Sequence, residues 1–324
     1  MAPTSASPSV LSYNLRLVVI TLLPHPTLPL LRHAPFDEVP ANLKVRSFGV
    51  EYIRLCECDG AVLFVTREGW PLVDYLLPER WYFDSLYLKI GKRLSGGTGM
   101  VYHAHQTAPN RRPVDLVIKF SRFAQEVPLF VMDANVAPIS ALDLASARFA
   151  SPFEEFARLT ELRATKNSFG QRIWTKRPLA IYSPPEKVEM WRTGRTMGRY
   201  LPYENAIHVD QDKLQIDAFH KVSLDVEREY VLLFNWIEGI NAEDAYTRGR
   251  ITHDQLLALT AHVTADLARR GFRVLDNKPR HYILRPHHRT GELLKRDGQW
   301  IYGLVDYELL ERIPPCELPP HGLG

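Results

Sequence analysis

Apolar runs of strand length, separated by turn residues, recur through the first 120 residues and limit the folds open to this chain. Residues 50–56 alternate between apolar and polar side chains, Asp59 and Gly60 suit a hairpin turn, and residues 61–66 read as the returning strand. Further strands are predicted at residues 86–90, 100–106, 114–120, 178–182, 229–237, 274–275, 282–284 and 300–305. Short consecutive strands with turns between them favour an antiparallel sheet.

Helix-type periodicity begins after these strands. Apolar residues recur at three- and four-residue spacing over residues 152–164, with Ser151 as the predicted N-cap. A second amphipathic helix is predicted over residues 254–270, ended by Gly271. Residues 186–199 read as a third helix, which is either an amphipathic surface helix that packs through Trp191 and Met197 or a contact surface for a phosphorylated substrate or a partner. Strands and helices together predict an α+β fold.

The composition excludes several classes of protein. The 324 residues are 45% hydrophobic, which is sufficient for a substantial core and two packed units. A formal net charge of +3, from 40 basic and 37 acidic residues, gives no electrostatic basis for binding nucleic acid or an anionic membrane. Cys56, Cys58 and Cys316 supply neither a disulfide framework nor a closed zinc site, so reduced thiols in a cytoplasmic protein are expected.

The N-terminal region contains an apolar segment that resembles a membrane or export signal only superficially. Residues 15–31 include Arg16 and several prolines, so we predict neither a spanning helix nor a signal peptide. Residues 15–23 read instead as a buried strand. Residues 1–12 are rich in Ser, Pro and Ala and are expected to be disordered.

A glycine-rich turn lies between two predicted strands. It contains Gly96, Gly97 and Gly99, and Val101 follows. Glycine lets backbone N–H groups approach a bound phosphate closely, although a turn of this composition also occurs without any ligand.

A lysine follows three apolar residues in the next strand. This residue is Lys119, and the helix over residues 152–164 then offers Glu155 as a carboxylate that would fix its position. Glu154 is the neighbouring candidate for the same role.

Three segments of the second half add further candidates. Residues 231–239 form an apolar strand that ends in a turn, and residues 271–284 follow the second amphipathic helix and contain Asp276, Lys278 and His281. Residues 303–308 end a strand with Asp306, a hard oxygen ligand suited to Mg²⁺.

In this order the segments resemble the motifs of the protein-kinase superfamily over about two thirds of the chain. The resemblance implies binding of ATP and Mg²⁺, with Asp276 and Lys278 as catalytic residues and with Asp306 and His281 at the metal positions. It also implies nucleotide contacts from a set of residues that runs from the glycine-rich turn to the segment between the lobes: Gly96, Gly97, Gly99, Val101, Lys119, Glu155, Phe234, Asn235, Trp236 and Ile237.

The resemblance also implies an architecture. We expect a bilobal protein-kinase-like fold, with an antiparallel β N-lobe that carries one helix and a reduced, mostly helical C-lobe. The expected divisions are a tail (residues 1–12), a β-rich extension (13–85), an N-lobe (86–237) with an insert (174–226), and a C-lobe (238–324).

Several residues depart from the kinase motifs and leave alternatives open. Leu94 replaces the first glycine of the turn, Leu275 replaces an arginine, His281 replaces an asparagine and Glu308 replaces a glycine. No A-P-E segment follows Asp306. The chain is therefore expected to be an atypical phosphotransferase that acts on a hydroxyl of a protein or small molecule, or a pseudokinase scaffold. A third hypothesis is that the motifs are coincidental in a mixed α/β protein.

Overall fold

A computed structural model of the protein describes residues 31, 33–56, 59–94, 99–107, 112–128, 140, 145–166, 170–217 and 220–313. These residues form a mixed α+β structure with one large antiparallel sheet and several helices. The expected tail (1–12), the strand expected at 15–23, and Cys58 and Cys316 lie outside the described residues.

The main sheet has eight strands, and each neighbouring pair is antiparallel. Its strands are β1 (Lys44–Ser47), β2 (Val50–Cys56), β3 (Val62–Thr66), β4 (Gly91–Arg93), β5 (Val101–Gln106), β6 (Val114–Phe120), β8 (Pro178–Ser183) and β9 (Val231–Asn235). Their order across the sheet is β1-β2-β3-β8-β9-β6-β5-β4. The strands predicted at residues 50–56, 114–120 and 178–182 are thereby confirmed.

Strand β6 lies between β5 and β9, and its register determines which side chains share a face. Lys119 lies opposite Val101 of β5 on one side and opposite Leu232 of β9 on the other. Because successive side chains of a strand point to opposite faces, Lys119 shares a face with Val117, whereas Ile118 points to the opposite face. We call these the inner face and the outer face.

The outer face is closed by the N-terminal part of the chain. Ile118 and Leu233 belong to one buried apolar cluster with residues such as Phe36, Trp70 and Trp81. Strand β3 pairs with β8, so the first three strands extend the same sheet. The outer face is consequently sealed by residues that precede β4.

The segment between β3 and β4 contains two short helices, α1 (Val73–Leu76) and α2 (Leu86–Ile90). The strand predicted at residues 86–90 is therefore wrong. Its alternation of apolar residues did not mark a buried face, since Leu88 is 55% exposed. Tyr87 makes the packing contacts instead, with its ring centroid 5.1 Å from that of Tyr102.

Helix α3 (Pro152–Ala164) has the bounds that its sequence predicted, and its apolar side packs on the inner face. Ser151 Oγ accepts a hydrogen bond from the Glu154 N–H at 3.3 Å, and Glu154 Oε2 accepts one from the Ser151 N–H at 2.9 Å. This reciprocal capping satisfies two N–H groups that a helix start leaves without partners. The cap places the first turn of α3 beside β6.

The segment predicted as an insert, residues 174–226, contributes directly to the main sheet. It holds β7 (Trp174–Thr175) and β8, then α4 (Met190–Thr193) and α5 (Met197–Lys213). The single helix predicted over residues 186–199 is wrong. Gly194 adopts a φ of +69°, which ends α4, and α5 continues well beyond residue 199 with Pro202 inside it.

The second half begins with α6 (Ala242–Thr247) and α7 (His253–Arg269). Thr252 and Gln255 form a second capping box at the start of α7. Helix α7 ends at Arg269, two residues before Gly271, which has a φ of +79°. The predicted amphipathic helix over residues 254–270 is confirmed to within one residue at each end.

Short strands complete the second half. A four-stranded sheet has the order β10 (Ile240–Asn241), β12 (Tyr282–Leu284), β15 (Tyr302–Leu304) and β7, and two-stranded pairs form from β11 (Phe272–Val274) with β16 (Leu310–Arg312) and from β13 (Lys295–Arg296) with β14 (Gln299–Trp300).

The strands predicted at 274–275 and 282–284, which we expected to form a hairpin, do not pair with each other. The intervening residues form a 3-10 turn that starts at Pro279, which lacks an N–H for ladder pairing. Strand β11 pairs instead with β16, which is also a later strand than the last one predicted.

Candidate functional site

A buried lysine marks the centre of the inner face. Lys119 is only 8% exposed, and its Nζ lies 2.8 Å from Glu155 Oε1. Strand β6 carries the lysine and the first turn of α3 carries the carboxylate. The structure thus brings together two sequence-predicted residues from separate segments.

Two further carboxylates approach the same ammonium. Asp306 Oδ1 and Glu308 Oε2 each lie 3.3 Å from Lys119 Nζ. Both residues belong to the loop that follows β15, so three chain segments converge on one charge. Asp306 was predicted to lie here, whereas Glu308 was noted only as a departure from the kinase glycine.

The charges in this cluster shift the pKa values of its members in different directions. Burial alone would lower the pKa of Lys119, but Glu155, Glu308 and Asp306 outweigh burial and raise it. Burial raises the pKa of Glu155, with help from Glu308 and against the attraction of Lys119. Burial would also raise the pKa of Asp306, but Lys119 and His281 lower it. The opposite directions of these shifts hold Asp306 more firmly in its ionised form than Glu155.

Glu154, the alternative to Glu155, has a different role. Its carboxylate caps α3 and pairs with Arg148, whose Nη2 lies 2.6 Å from Oε1. The pairing and the cap lower the pKa of Glu154 despite its burial. Of the two adjacent glutamates, Glu155 is thus the one in contact with Lys119.

Arg122 extends the cluster at the end of β6. Its guanidinium forms an ion pair with Glu308 and lies over the ring of Phe149, at 4.1 Å from the centroid. Glu308 is 5% exposed and shares its two oxygens between Arg122 and Lys119. The sequence did not indicate that Arg122 belongs to the site.

A second buried lysine lies close to Asp306 and was also missed. Lys176 Nζ donates a hydrogen bond to the Val305 carbonyl at 2.9 Å and lies 5.6 Å from the ring centroid of Phe234. Burial, with the nearby charge of Lys119, lowers the pKa of Lys176 to about 8. A segment assigned to an insert gave no reason to look for it.

His281 adjoins Asp306 from the other side. Its Nε2 lies 3.6 Å from Asp306 Oδ2, and its buried Nδ1 has no hydrogen-bond partner within the described residues. The Val305 N–H donates to the His281 carbonyl at 3.1 Å, which holds the two segments together. The structure therefore brings the two residues predicted for metal positions into contact.

The predicted catalytic segment lies in the loop between β11 and β12. Asp276 Oδ1 forms an ion pair with Lys278 Nζ at 2.7 Å. The neighbouring Asn277 is buried, donates to Thr264 Oγ1 and accepts from the Tyr282 hydroxyl. The Leu275 N–H donates to the Leu309 carbonyl, which fixes this loop beside the segment that carries Asp306.

The predicted phosphate-binding turn is described only at its end. Gly96 and Gly97 lie outside the described residues, whereas Gly99 and Val101 lead into β5. Val101 pairs with Lys119 across the sheet. The turn therefore joins the sheet beside the buried lysine.

The predicted adenine-binding segment follows the end of β9. Phe234 is buried on the inner face, and the N–H groups of Asn235 and Trp236 donate to carbonyls of Arg177 and Asp115. The Trp236 ring stacks on His103 with centroids 4.0 Å apart. Ile237 ends this segment and is also buried.

The cluster contains oxygen ligands but does not form a complete metal cage. The described residues include no group of three or more His, Cys, Asp or Glu side chains arranged to hold a metal. Mg²⁺ characteristically takes one or two carboxylates and completes its shell with phosphates and waters. Asp306, with 30% of its side chain exposed, fits that smaller role.

Comparison of the sequence with models of known protein families and with curated proteins finds no match. Within the described residues, no helix combines the length and apolar character needed to cross a membrane.

Proposed function

We propose that this protein binds ATP with Mg²⁺ on the inner face of the main sheet and transfers the γ-phosphate to a hydroxyl of an acceptor. One observation carries the proposal. The ammonium of Lys119 contacts both Glu155 and Asp306, at 2.8 and 3.3 Å, although the three residues come from distant parts of the chain. Each of these segments resembles the corresponding kinase motif, which supports a bilobal kinase-like arrangement.

The cluster residues suit the electrostatic demands of phosphoryl transfer. Lys119 would hold the phosphates, with Glu155 fixing the position of the ammonium. Asp306 would hold Mg²⁺, which supplies neutralisation of phosphate charge when bound. Because Lys119 lowers the pKa of Asp306, the carboxylate is ionised at neutral pH, as a ligand for a hard cation must be.

The loop between β11 and β12 would serve the acceptor. Asp276 would orient the acceptor hydroxyl and accept its proton, and Lys278 would bind a phosphate oxygen. The present ion pair between them at 2.7 Å holds both side chains in one place, and it would open when phosphate binds Lys278.

The nucleotide base would lie at the end of β9. Since the N–H groups of Asn235 and Trp236 are bonded within the protein, Ile237 is the residue of this segment that we assign to the adenine edge. The stacked rings of Trp236 and His103 would form one wall of the base site.

A pseudokinase scaffold is the second candidate, and Glu308 is the observation that favours it. This buried carboxylate contacts Lys119 at 3.3 Å and pairs with Arg122, so it competes with phosphate for the lysine. His281, 3.6 Å from Asp306 Oδ2, competes in the same way with Mg²⁺. In this alternative the cluster stabilises the fold and transfers no phosphate.

Thermal unfolding with ATP, with and without Mg²⁺, tests the proposal. Ligand at about a hundred times its Kd should stabilise the protein by about 2.7 kcal/mol. Stabilisation should require Mg²⁺ and should largely disappear in Asp306→Asn, whereas Asp297→Asn, a change of an exposed turn carboxylate, should behave as wild type.

Turnover separates the two candidates. Wild type should release labelled phosphate from ATP or transfer it to an acceptor in an untargeted assay, and Asp306→Asn should lose this activity. ATP binding without any turnover would support the scaffold. Absence of ATP binding in the wild type would refute the proposed function.

A further inference from the structure

A cavity of about 470 Å³ lies at the end of β6, two residues beyond Lys119. Its walls come from Ser121 and Arg122 after β6, from Gly99 and Met100 before β5, and from the α4 region. The Gln125 side chain donates to the Thr193 carbonyl at 2.7 Å, which ties the α4 region to the loop after β6. The volume falls within the range typical of small-molecule sites.

Arg195 supplies a buried positive charge to this cavity. It is 4% exposed, and within the described residues its side chain donates to backbone carbonyls alone, at 3.0 Å from Val226, 2.6 Å from Arg228 and 3.4 Å from Ser121. The guanidinium also lies over the Phe123 ring, at 4.3 Å from the centroid. These partners orient the side chain, but none of them carries a negative charge.

The charge of Arg195 is not neutralised by a carboxylate. Among the described residues, no acidic side chain forms an ion pair with it within 4.0 Å. Glu229 and Asp225 attract the guanidinium only at longer range, and Asp225 pairs with Lys187 at 3.3 Å. Burial accordingly lowers the pKa of Arg195 to about 10. A buried cation without a counter-charge is costly, and a bound anion would offset that cost.

One hydrogen-bond donor of Arg195 also lacks a partner. Its Nε is buried and makes no hydrogen bond within the described structure. Buried polar groups are nearly always bonded, so this unpaired N–H, in a residue that lines the cavity, is unusual. Phosphate and carboxylate oxygens match the donor geometry of guanidinium.

Two other arginines line the same cavity, and one acidic residue opposes them. Arg192 is exposed at the rim, and Arg122 reaches the cavity from the ion-pair cluster. Glu229 lines the cavity as well, with its Oε2 3.5 Å from the Tyr82 hydroxyl. The lining residues thus include three arginines and one glutamate, and although Arg122 is already paired with Glu308, their net charge is positive.

We propose that this cavity is an anion-binding site that takes the phosphate or carboxylate group of a small molecule between Arg195, Arg192 and Arg122. The cavity is separate from the Lys119 cluster, although Arg122 touches both. The proposal depends on the charges of the cavity alone and does not require the protein to bind ATP.

Isothermal titration of inorganic phosphate into the full chain, without nucleotide and at constant ionic strength, tests the proposal. Acetate forms a parallel arm that distinguishes a phosphate site from a carboxylate site. We expect saturable binding of at least one of the two at one site per chain. Arg192→Ala, a rim change that leaves the core intact, should weaken this binding about tenfold, the loss expected for a charged hydrogen-bond donor.

Two variants of opposite effect and one control complete the test. Arg195→Met should weaken binding by at least as much as Arg192→Ala, and Glu229→Gln should strengthen it about threefold because it removes a negative charge from the lining. Arg248→Ala, at an exposed position outside the cavity, should bind as wild type. If Arg195→Met does not fold, the opposite changes in anion affinity expected for Arg192→Ala and Glu229→Gln still test the proposal. No saturable binding of either anion, or equal affinity in all variants, would overturn the proposal.

Discussion

Strand β6 presents Leu116 and Ile118 to the outer face of the sheet and Val117 and Lys119 to the inner face. The outer face is covered by apolar and aromatic residues of the N-terminal segment. The inner face also buries apolar residues against α3, but it adds a lysine among three carboxylates. An apolar core alone would stabilise the sheet at lower electrostatic cost, so stability by itself does not require these buried charges.

The largest loss of stability is expected when the charged cluster on the inner face is disrupted. Lys119→Met removes the cation and leaves three carboxylates around an apolar side chain. Removal of one partner from a buried ion pair typically costs about 3–5 kcal/mol. Urea unfolding at neutral pH should show this loss, whereas Lys89→Met, at an exposed position, should change stability little.

A second variant shows whether uncompensated charge causes the loss. Lys119→Met combined with Glu155→Gln should recover part of the stability, because one buried carboxylate is neutralised. A single variant as stable as wild type would mean that the cluster is not an ionised, buried network.

A smaller loss of stability is expected from a change in the apolar core on the outer face. Ile118→Ala deletes buried methyl and methylene groups from the outer-face core and should cost about 2–4 kcal/mol in urea unfolding. Leu88→Ala, a change at a side chain 55% exposed, is the matched control and should stay within about 0.5 kcal/mol of wild type. Since Ile118 points away from Lys119, its variant should keep any response to ATP. Loss of that response with a folded protein would contradict the separation of the two faces.

The smallest effect concerns the pH dependence of the inner face. The pKa of Lys176 in the folded protein is about 8, below its ordinary value of 10.5. Between these pH values the unfolded chain binds a proton that the folded chain does not, so folded stability increases as pH rises. Relative to Lys176→Met, wild type should therefore gain about 2 kcal/mol from pH 7.5 to pH 9.5.

Comparison of two variants removes the contribution of the tyrosines, which are common to both proteins. Lys89→Met provides the control, because the stability of wild type relative to this variant should not change with pH. A difference between wild type and Lys176→Met that is independent of pH would show that Lys176 titrates normally.

The sequence correctly predicted those helices and strands that are stabilised by residues within the same segment. Helix α3 was predicted at its observed bounds because the Ser151 cap and the apolar spacing lie within the helix. Strands β2 and β6 were predicted from alternation and apolar content. By contrast, residues 86–90 have strand-like alternation but form a helix, because Tyr87 packs on the aromatic residues of distant strands.

The candidate site was predicted only where a motif marked it. Lys119, Glu155 and Asp306 lie in segments that resemble kinase motifs, and the structure brings them into contact. Lys176 and Arg122 belong to no such motif. Their proximity to the site results from the pairing of β7 with β15 and from the ion pair with Glu308, which no local pattern encodes.

The pairing of β3 with β8 has a consequence for synthesis of the chain on the ribosome. Strands β1 to β3 emerge long before Pro178–Ser183, so the edge of β3 has no strand to pair with while the intervening residues are made. An unpaired apolar edge is a template for association with other nascent chains. The edge of β3 is therefore protected only after the later strand β8 has been made.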